Sequence, residues 1–169
     1  MTIEEIIIRR ATKSDAAGMV AFTASLQAEQ LDTVRKRAPT TEAFESSEIE
    51  EAEANGRAFF LIGEARNEIV AILGLWAGKG EHDRHSARFG LAVRKEWRRR
   101  GLGRRLIENA ISEAKTWPHF CRIELECTLT NESAIRLYES LGFQREGVRR
   151  KSTDMGRGPQ DMLLMSLVW

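Results

Sequence analysis

The strongest constraint on the fold lies in residues 86–127, which run strand, basic turn, helix, strand. Ser86 to Val93 places Ala87, Phe89, Leu91 and Val93 on one face, the period of a half-buried strand. Gly101 to Trp117 carries Leu102, Leu106, Ile107, Ala110, Ile111 and Ala114 on one stripe, the period of an amphipathic helix, and Pro118 lies just past its end. Cys121 to Cys127 alternates again as a strand. A unit of this kind closes as a right-handed crossover between parallel strands.

The flanking segments extend this unit. Ile3 to Arg10 predicts a first strand, and Thr12 and Asp15 offer caps for a helix with Ala16, Met19, Val20, Thr23 and Leu26 inward. Leu31 to Thr41 is basic and predicted irregular, with Pro39 breaking any helix. Glu42 to Glu53 holds six glutamates and no lysine or arginine, the composition of a solvated helix face. Ala58 to Glu64 and Ile69 to Ala77 form a predicted antiparallel hairpin, followed by a polar loop, Gly78 to Arg84. Asn131 to Leu141 predicts a helix, with Gly142 where a left-handed cap is wanted. Phe143 to Arg150 and Asp161 to Trp169 are the last strands, separated by a glycine-rich loop, Met155 to Pro159. The order β-α-α-β-β-β-α-β-α-β-β predicts an α/β fold: one domain, residues 1–169, with a mixed, mostly antiparallel sheet and helices on both faces.

Composition narrows the partners. The chain has 169 residues, 42% hydrophobic and 30% charged, and a formal net charge of +1. That balance gives no reason to expect a nucleic-acid or membrane partner. The first residues lack the basic region of a secretory signal, and the longest apolar stretch, Ile69 to Ala77, is too short to span a bilayer. A soluble, cytoplasmic protein is expected. Cys121 and Cys127, the two cysteines, would lie roughly 20 Å apart along one strand, too far for a disulfide. No zinc spacing exists, so no metal is expected.

The turn from Val93 to Arg105 carries the chemistry. It holds seven basic residues against one acid, with glycines at 101 and 103. The first turn of a helix has backbone N–H groups without partners, and these together with the helix dipole suit an anion. Glycine lets a pyrophosphate approach the backbone closely. A dinucleotide fold would place Gly where Leu106 stands and would start near the N-terminus. A P-loop needs Lys-Ser/Thr after the last glycine, where this chain has Arg104-Arg105.

The spacing Arg98-x-x-Gly101-x-Gly103 resembles the Arg/Gln-x-x-Gly-x-Gly/Ala motif of the GNAT superfamily of N-acetyltransferases. Asn131-Glu-Ser-Ala134-Ile-Arg-Leu137-Tyr138-Glu-Ser-Leu141-Gly142-Phe143 is similar to that family's Asn-x-x-Ala-x-x-Leu-Tyr-x-x-x-Gly-Phe segment. The stretch from Ile7 to Asp15 also looks like the family's opening. The resemblance implies acetyl-CoA as acyl donor, with strands 86–93 and 121–127 splayed to admit it. It further implies that the turn (Arg98, Arg99, Arg100, Gly101, Leu102, Gly103 and Arg104) holds the pyrophosphate. Leu91, Ala92 and Val93 would line the thioester and pantetheine by their backbone, Leu91 contacting the oxyanion. Asn131 and Ser133 would meet the pantetheine amides, and Tyr138, the chain's one tyrosine, would be the general acid that protonates the leaving thiolate. Without the resemblance, Tyr138 also fits as a core aromatic.

Direct transfer to an amine also needs a base, and here the resemblance supplies no residue: the nearest match to a family glutamate is Ala87. Glu124, Glu126 and His85 are the candidates, with ion-paired or structural roles as their plainer alternatives. The acceptor is expected to be a primary amine of a small molecule or peptide, and the glutamate-rich 42–53 segment could form a rim for a cationic one. Three other readings stand beside this: a non-catalytic acyl-CoA sensor, a protein N-terminal or lysine acetyltransferase, and RNA binding through the arginines. The last lacks a stacking platform apart from Trp97. A homodimer is the default assembly.

Overall fold

The computed structural model describes residues 6–29, 40–154, 156 and 158–169. Its elements are β1 (Ile7–Arg10), α1 (Ala16–Ala28), α2 (Glu42–Asn55), β2 (Ala58–Ala65), β3 (Glu68–Ala77), β4 (Ser86–Val93), α3 (Leu102–Ala114), β5 (Arg122–Thr128), α4 (Glu132–Ser140), β6 (Gln144–Asp154) and β7 (Pro159–Val168). The expected order is therefore present. The start of the predicted first strand, most of the basic 31–41 segment and part of the glycine-rich loop lie outside the described residues.

Local chemistry accounts for most boundaries. The β2–β3 hairpin turns on Arg66 and Asn67, both with positive φ (54° and 61°), the geometry of a two-residue hairpin loop whose twist suits the strands. Thr41 caps α2 by accepting from Phe44 N at 3.2 Å, and Gly56 ends it at φ 61°. Gly142, at φ 92°, ends α4. There Gly142 N donates to Glu139 O and Phe143 N to Tyr138 O, both at 3.0 Å. This pair of bonds is a Schellman cap, and it holds Phe143 beside the Tyr138 ring, centroids 5.9 Å apart.

The sheet order is β1-β2-β3-β4-β5-β7-β6. β4 and β5 are parallel, joined by the α3 crossover, and the other neighbours are antiparallel. One core packs α3 and α4 against one face through Leu102, Leu106, Ile107 and Ile135. A second packs α1 and α2 against the other through Met19, Phe22, Ile49 and Ile62. Among the described residues, no helix is long and apolar enough to cross a membrane. Both cysteines are free thiols.

Three expectations need correction. The α1 face is turned so that Phe22 is buried with Ala16, Met19 and Leu26, while Val20 and Thr23 are half-buried. The crossover helix stops at Ala114, not Trp117, because Pro118 pushes the residue before it out of the helical region. Trp117 instead packs edge-on to Phe59 and Phe120. The last hairpin is longer than expected: a register shift between Arg149 and Thr153 lets pairing resume to Asp154 opposite Pro159. The bulge contains Lys151 at φ 47°, and its amide is taken up by Asp161 Oδ1 at 2.8 Å.

Arg9 ties β1 to the sheet and to the start of α1, bonding Asp15 at 2.8 Å and Glu64 at 2.7 Å. The Arg9 guanidinium, with the Thr12 amide and hydroxyl, lowers the Asp15 carboxyl from its ordinary 3.8 to about 2. A depressed carboxyl contributes stability above its unfolded value and loses it as pH falls through the folded one. Asp15→Asn is expected to lower stability at pH 7 by about 1 kcal/mol, the upper end for a partly exposed ion pair such as that with Arg9. Urea melts of the two proteins should converge as pH drops from 4 to 2, over the window set by those two values.

Candidate active site

The contact between β4 and β5 lasts three residue pairs, ending at Arg88 opposite Glu124, and then the strands part. β4 stays with β3 to its end, Val93 opposite Ala71, and β5 stays with β7 to Thr128 opposite Met162. Arg94 N donates to Val70 O and Gly78 N to Ser86 O, both at 3.0 Å. Bonded and non-bonded pairs alternate in an antiparallel ladder, so the even-numbered β4 residues bond to β3. Phe89, Leu91 and Val93 therefore turn their N–H and C=O groups into the gap. The expected splay is present, lined by strand backbone.

The gap opens into a cleft of about 1300 Å³. At one end is the basic turn. Lys95–Trp97 form a single 3-10 turn, Arg98 is extended, Arg99 has φ 58°, and Gly101 has φ 79° as the residue before α3. The first α3 bond runs from Arg105 N to Gly101 O at 3.1 Å, leaving the amides of Leu102, Gly103 and Arg104 without helical partners. A Cβ on Gly103 would come within 3.3 Å of Leu91 Cδ2 and 3.6 Å of Leu137 Cδ2, so the helix start is set tightly between β4 and α4. Arg99 lines the cleft and has no ion-pair partner among the described residues.

The Arg98 side chain is engaged within the protein. Its Nε donates to Val93 O at 2.8 Å, and its guanidinium pairs with Glu29. Glu29 also accepts from Lys95 N at 3.1 Å. The residue just past α1 thus buckles the turn to the end of β4. Sequence reasoning missed Glu29, since nothing in its local pattern points 69 residues ahead.

On the α3/α4 side, Asn131 caps α4 through Oδ1, accepting from Ala134 N at 3.3 Å and Ser133 Oγ at 3.2 Å. Its amide nitrogen stays available to the cleft. Tyr138 stands edge-on to Phe89, centroids 5.8 Å apart, and its hydroxyl bonds to none of the described residues. Burial, and secondarily the Cys127 thiol beside it, raises the phenol above its ordinary 10. Cys127 itself is pushed up to about 11 by burial, Arg145 acting slightly the other way.

The opposite side of the sheet forms the other half of the cleft. Leu125 and Cys127 face the α3/α4 core, so alternation turns Glu124 and Glu126 the other way. Glu124 is held by Arg88 at 2.5 Å and Arg122 at 3.2 Å. Glu126 is held by Arg149 alone, at 2.7 Å. Glu146 bonds Arg122 and Ser166, both at 2.7 Å, which lowers its carboxyl to about 2, Arg122 being the larger cause.

The structure brings together Leu91, Ala92, Val93, Arg98, Arg99, Gly101, Gly103, Arg104, Asn131, Ser133, Tyr138, Glu124 and Glu126. Arg100 and His85 lie outside the cleft, and Leu102 contributes only its unpartnered amide at the start of α3. Arg100 lies over the Trp97 ring at 5.5 Å and lines a separate hollow of about 300 Å³. The Leu102 side chain is buried in the core. His85 is exposed outside the cleft, its carbonyl accepting from Cys121 N. No group of residues suited to a metal occurs among those described.

A mixed sheet parted at a parallel pair, with unpartnered amides and arginines at the mouth of the gap, is the arrangement that the resemblance to the GNAT superfamily implies. Residues 23–143 match the acetyltransferase (GNAT) family, and the chain belongs to that family. Over 79 residues it is 40% identical to the [ribosomal protein bS18]-alanine N-acetyltransferase of Salmonella typhimurium, covering 47% of this chain and 53% of that protein. The match thus spans about half the length of this curated relative. The fold is shared with a GNAT-family acetyltransferase of Streptococcus pneumoniae (TM-score 0.89, 24% identity, 98% of this chain and 100% of that one). It is shared too with a Salmonella typhimurium protein solved with its cofactor acetyl-CoA (TM-score 0.85, 19% identity, 96% and 93%).

Glu29→Ala would leave the Arg98 guanidinium and the Lys95 amide without their carboxylate. A loss of about 1–3 kcal/mol is expected from charge-assisted bonds of this kind, read by urea unfolding. Hydrogen exchange at the Lys95 amide should quicken.

Proposed function

We propose that this chain transfers the acetyl group of acetyl-CoA to a primary amine by direct attack, the acceptor being a peptide or small molecule. The observation that carries this reading is the unpaired backbone of the β4–β5 gap, the N–H and C=O of Leu91 and the N–H of Val93, between an anion cradle and an unbonded phenol. The cradle fits a pyrophosphate: free amides at the start of α3, the dipole behind them, and Arg99 and Arg104 beside them. The gap fits a pantetheine arm, which pairs with strand backbone as a β-strand would, with Asn131 Nδ2 as a further donor. No metal is involved in this reading.

Each residue then has a task. The acceptor nitrogen attacks the thioester carbon, and the charge that grows on its oxygen meets the Leu91 N–H, a donor already in place. The C–S bond breaks as the intermediate collapses, and the thiolate takes the Tyr138 proton. With its pKa raised by burial, Tyr138 stays protonated across the working range. The amine proton leaves to Glu126 or to water. Glu126 is the better placed of the two strand glutamates: it lies past the last β4–β5 pair and has one arginine partner, where Glu124 has two.

A second reading concerns the acceptor. The 40% identity to a ribosomal-protein-alanine N-acetyltransferase favours the α-amine of a protein N-terminus over a lysine side chain. A sensor that binds acyl-CoA without turnover has no use for an unbonded, cleft-facing Tyr138, so that reading ranks below transfer.

Free-thiol release from acetyl-CoA, measured across amines, amino acids and short peptides, tests the proposal; release that needs an acceptor supports it. Tyr138→Phe is expected to lower kcat by about 100-fold, the low end of what a positioned acid supplies, with acetyl-CoA affinity little changed. Unaltered kcat would remove Tyr138 from the mechanism. Gly101→Val should instead weaken CoA binding by about tenfold, since a branched residue at positive φ costs ~1–2 kcal/mol. The rate should climb with pH as the acceptor amine loses its proton, with no fall from Tyr138 ionisation below about pH 10.

A further inference from the structure

Of the six glutamates in the 42–53 segment, one does not belong to a solvated face. Glu45, Ile49 and Ala52 form the buried stripe of α2, and Glu45 is only 7% exposed. It lines the cleft with Phe22, Phe60 and Trp76. The other acids of the cleft are all paired: Glu124 with Arg88 and Arg122, Glu126 with Arg149, Glu146 with Arg122. Glu45 has no cation, and no side-chain hydrogen bond, among the described residues. Its side chain is packed on the α2 stripe and lines the cleft, where a cationic ligand would meet it.

Aromatic rings line the same cleft. Phe60 and Trp76 meet edge to face, centroids 5.6 Å apart. A Cβ at Gly74 would fall 2.4 Å from the Trp76 ring, and one at Gly90 3.8 Å from it. The missing Cβ of Gly74 thus lets the indole lie back over β3, with Gly90 of β4 in ordinary contact range. A cleft that offers both a carboxylate and aromatic rings suits an organic cation, the rings adding their own attraction to its charge.

We propose that Glu45 binds a positively charged group of the acceptor, separate from the amine that is acetylated. The nitrogen that attacks must be neutral, with Glu126 or water taking its proton, so the group that stays charged against Glu45 is a second one. The acceptor class is therefore an amine carrying a second cation, supplied either by a diamine or by a basic residue near a peptide N-terminus. The transfer step rests on the acetyltransferase reading above; the binding of the cation does not.

The test compares matched acceptors on the wild type, Glu45→Gln and Glu45→Lys. One pair is 1,4-diaminobutane against 1-aminobutane; the other is a tetrapeptide starting Ala-Lys against one starting Ala-Gln. The wild type should favour the cationic member of one pair by about tenfold in kcat/KM, mostly through KM. Which pair does so names the source of the cation. In Glu45→Gln the ratio should fall towards one, and in Glu45→Lys below it. No preference in the wild type, or one that survives Glu45→Gln, overturns the proposal. Calorimetric titration of each protein with 1,4-diaminobutane and with the Ala-Lys peptide, without acetyl-CoA, separates the two claims. Binding lost in Glu45→Gln, with no thiol release from any acceptor, would sustain the cation site while the acetyltransferase reading falls. Absence of both binding and preference would end this proposal.

Discussion

Everything in the candidate site depends on β4 and β5 coming apart after three pairs. Each strand keeps its outer neighbour, β3 for one and β7 for the other, so the sheet divides into two halves that diverge. Phe89 turns onto Tyr138 and Phe143, and the start of α3 fits between Leu91 and Leu137. These contacts occupy the α3/α4 side of the wedge and leave its backbone bare. Unpaired strand groups inside a protein demand a partner. A ligand with an extended polar arm would supply one, and the proposed donor has such an arm.

Charge is sorted along the same cleft. A net charge of +1 conceals a basic cradle at the N-terminus of α3 and, across the sheet, a set of glutamates and arginines. In that second set Arg88, Arg122 and Arg149 stand against Glu45, Glu124, Glu126 and Glu146. Among the described residues, three positive charges against four negative leave one negative, and the pairings place it on Glu45. The donor's phosphates and a cationic acceptor would thus be drawn to different parts of one cleft.

Much of the fold was legible in the sequence because it rests on periodicity and punctuation. The α3 stripe, the hairpin at Arg66-Asn67 and the cap at Gly142 are local signals, and the structure has each. The turn at residues 98–104 was legible for the same reason: basic residues and glycines at a strand-to-helix junction. What stayed hidden was non-local or off-pattern. The end of β6 lacks alternation because it is an edge strand with a bulge, its polar residues solvated. Phe22 displaced Thr23 from the α1 face because packing against Ile49 and Ile62 sets the helix rotation, which spacing alone leaves loose. Glu29 acts on a turn far along the chain. Glu45 was visible only as one of six glutamates, until its place on the Ile49-Ala52 stripe separated it from the rest.

The most direct test of the central claim is where acetyl-CoA touches the backbone. Amide resonances followed by nuclear magnetic resonance during titration with acetyl-CoA should shift at Leu91 and Val93 and from Arg99 to Arg104. Those of β1 and of the β2–β3 turn should stay in place. Shifts confined to the hollow around Arg66 and Arg100, with Leu91 and Gly103 unmoved, would contradict the account.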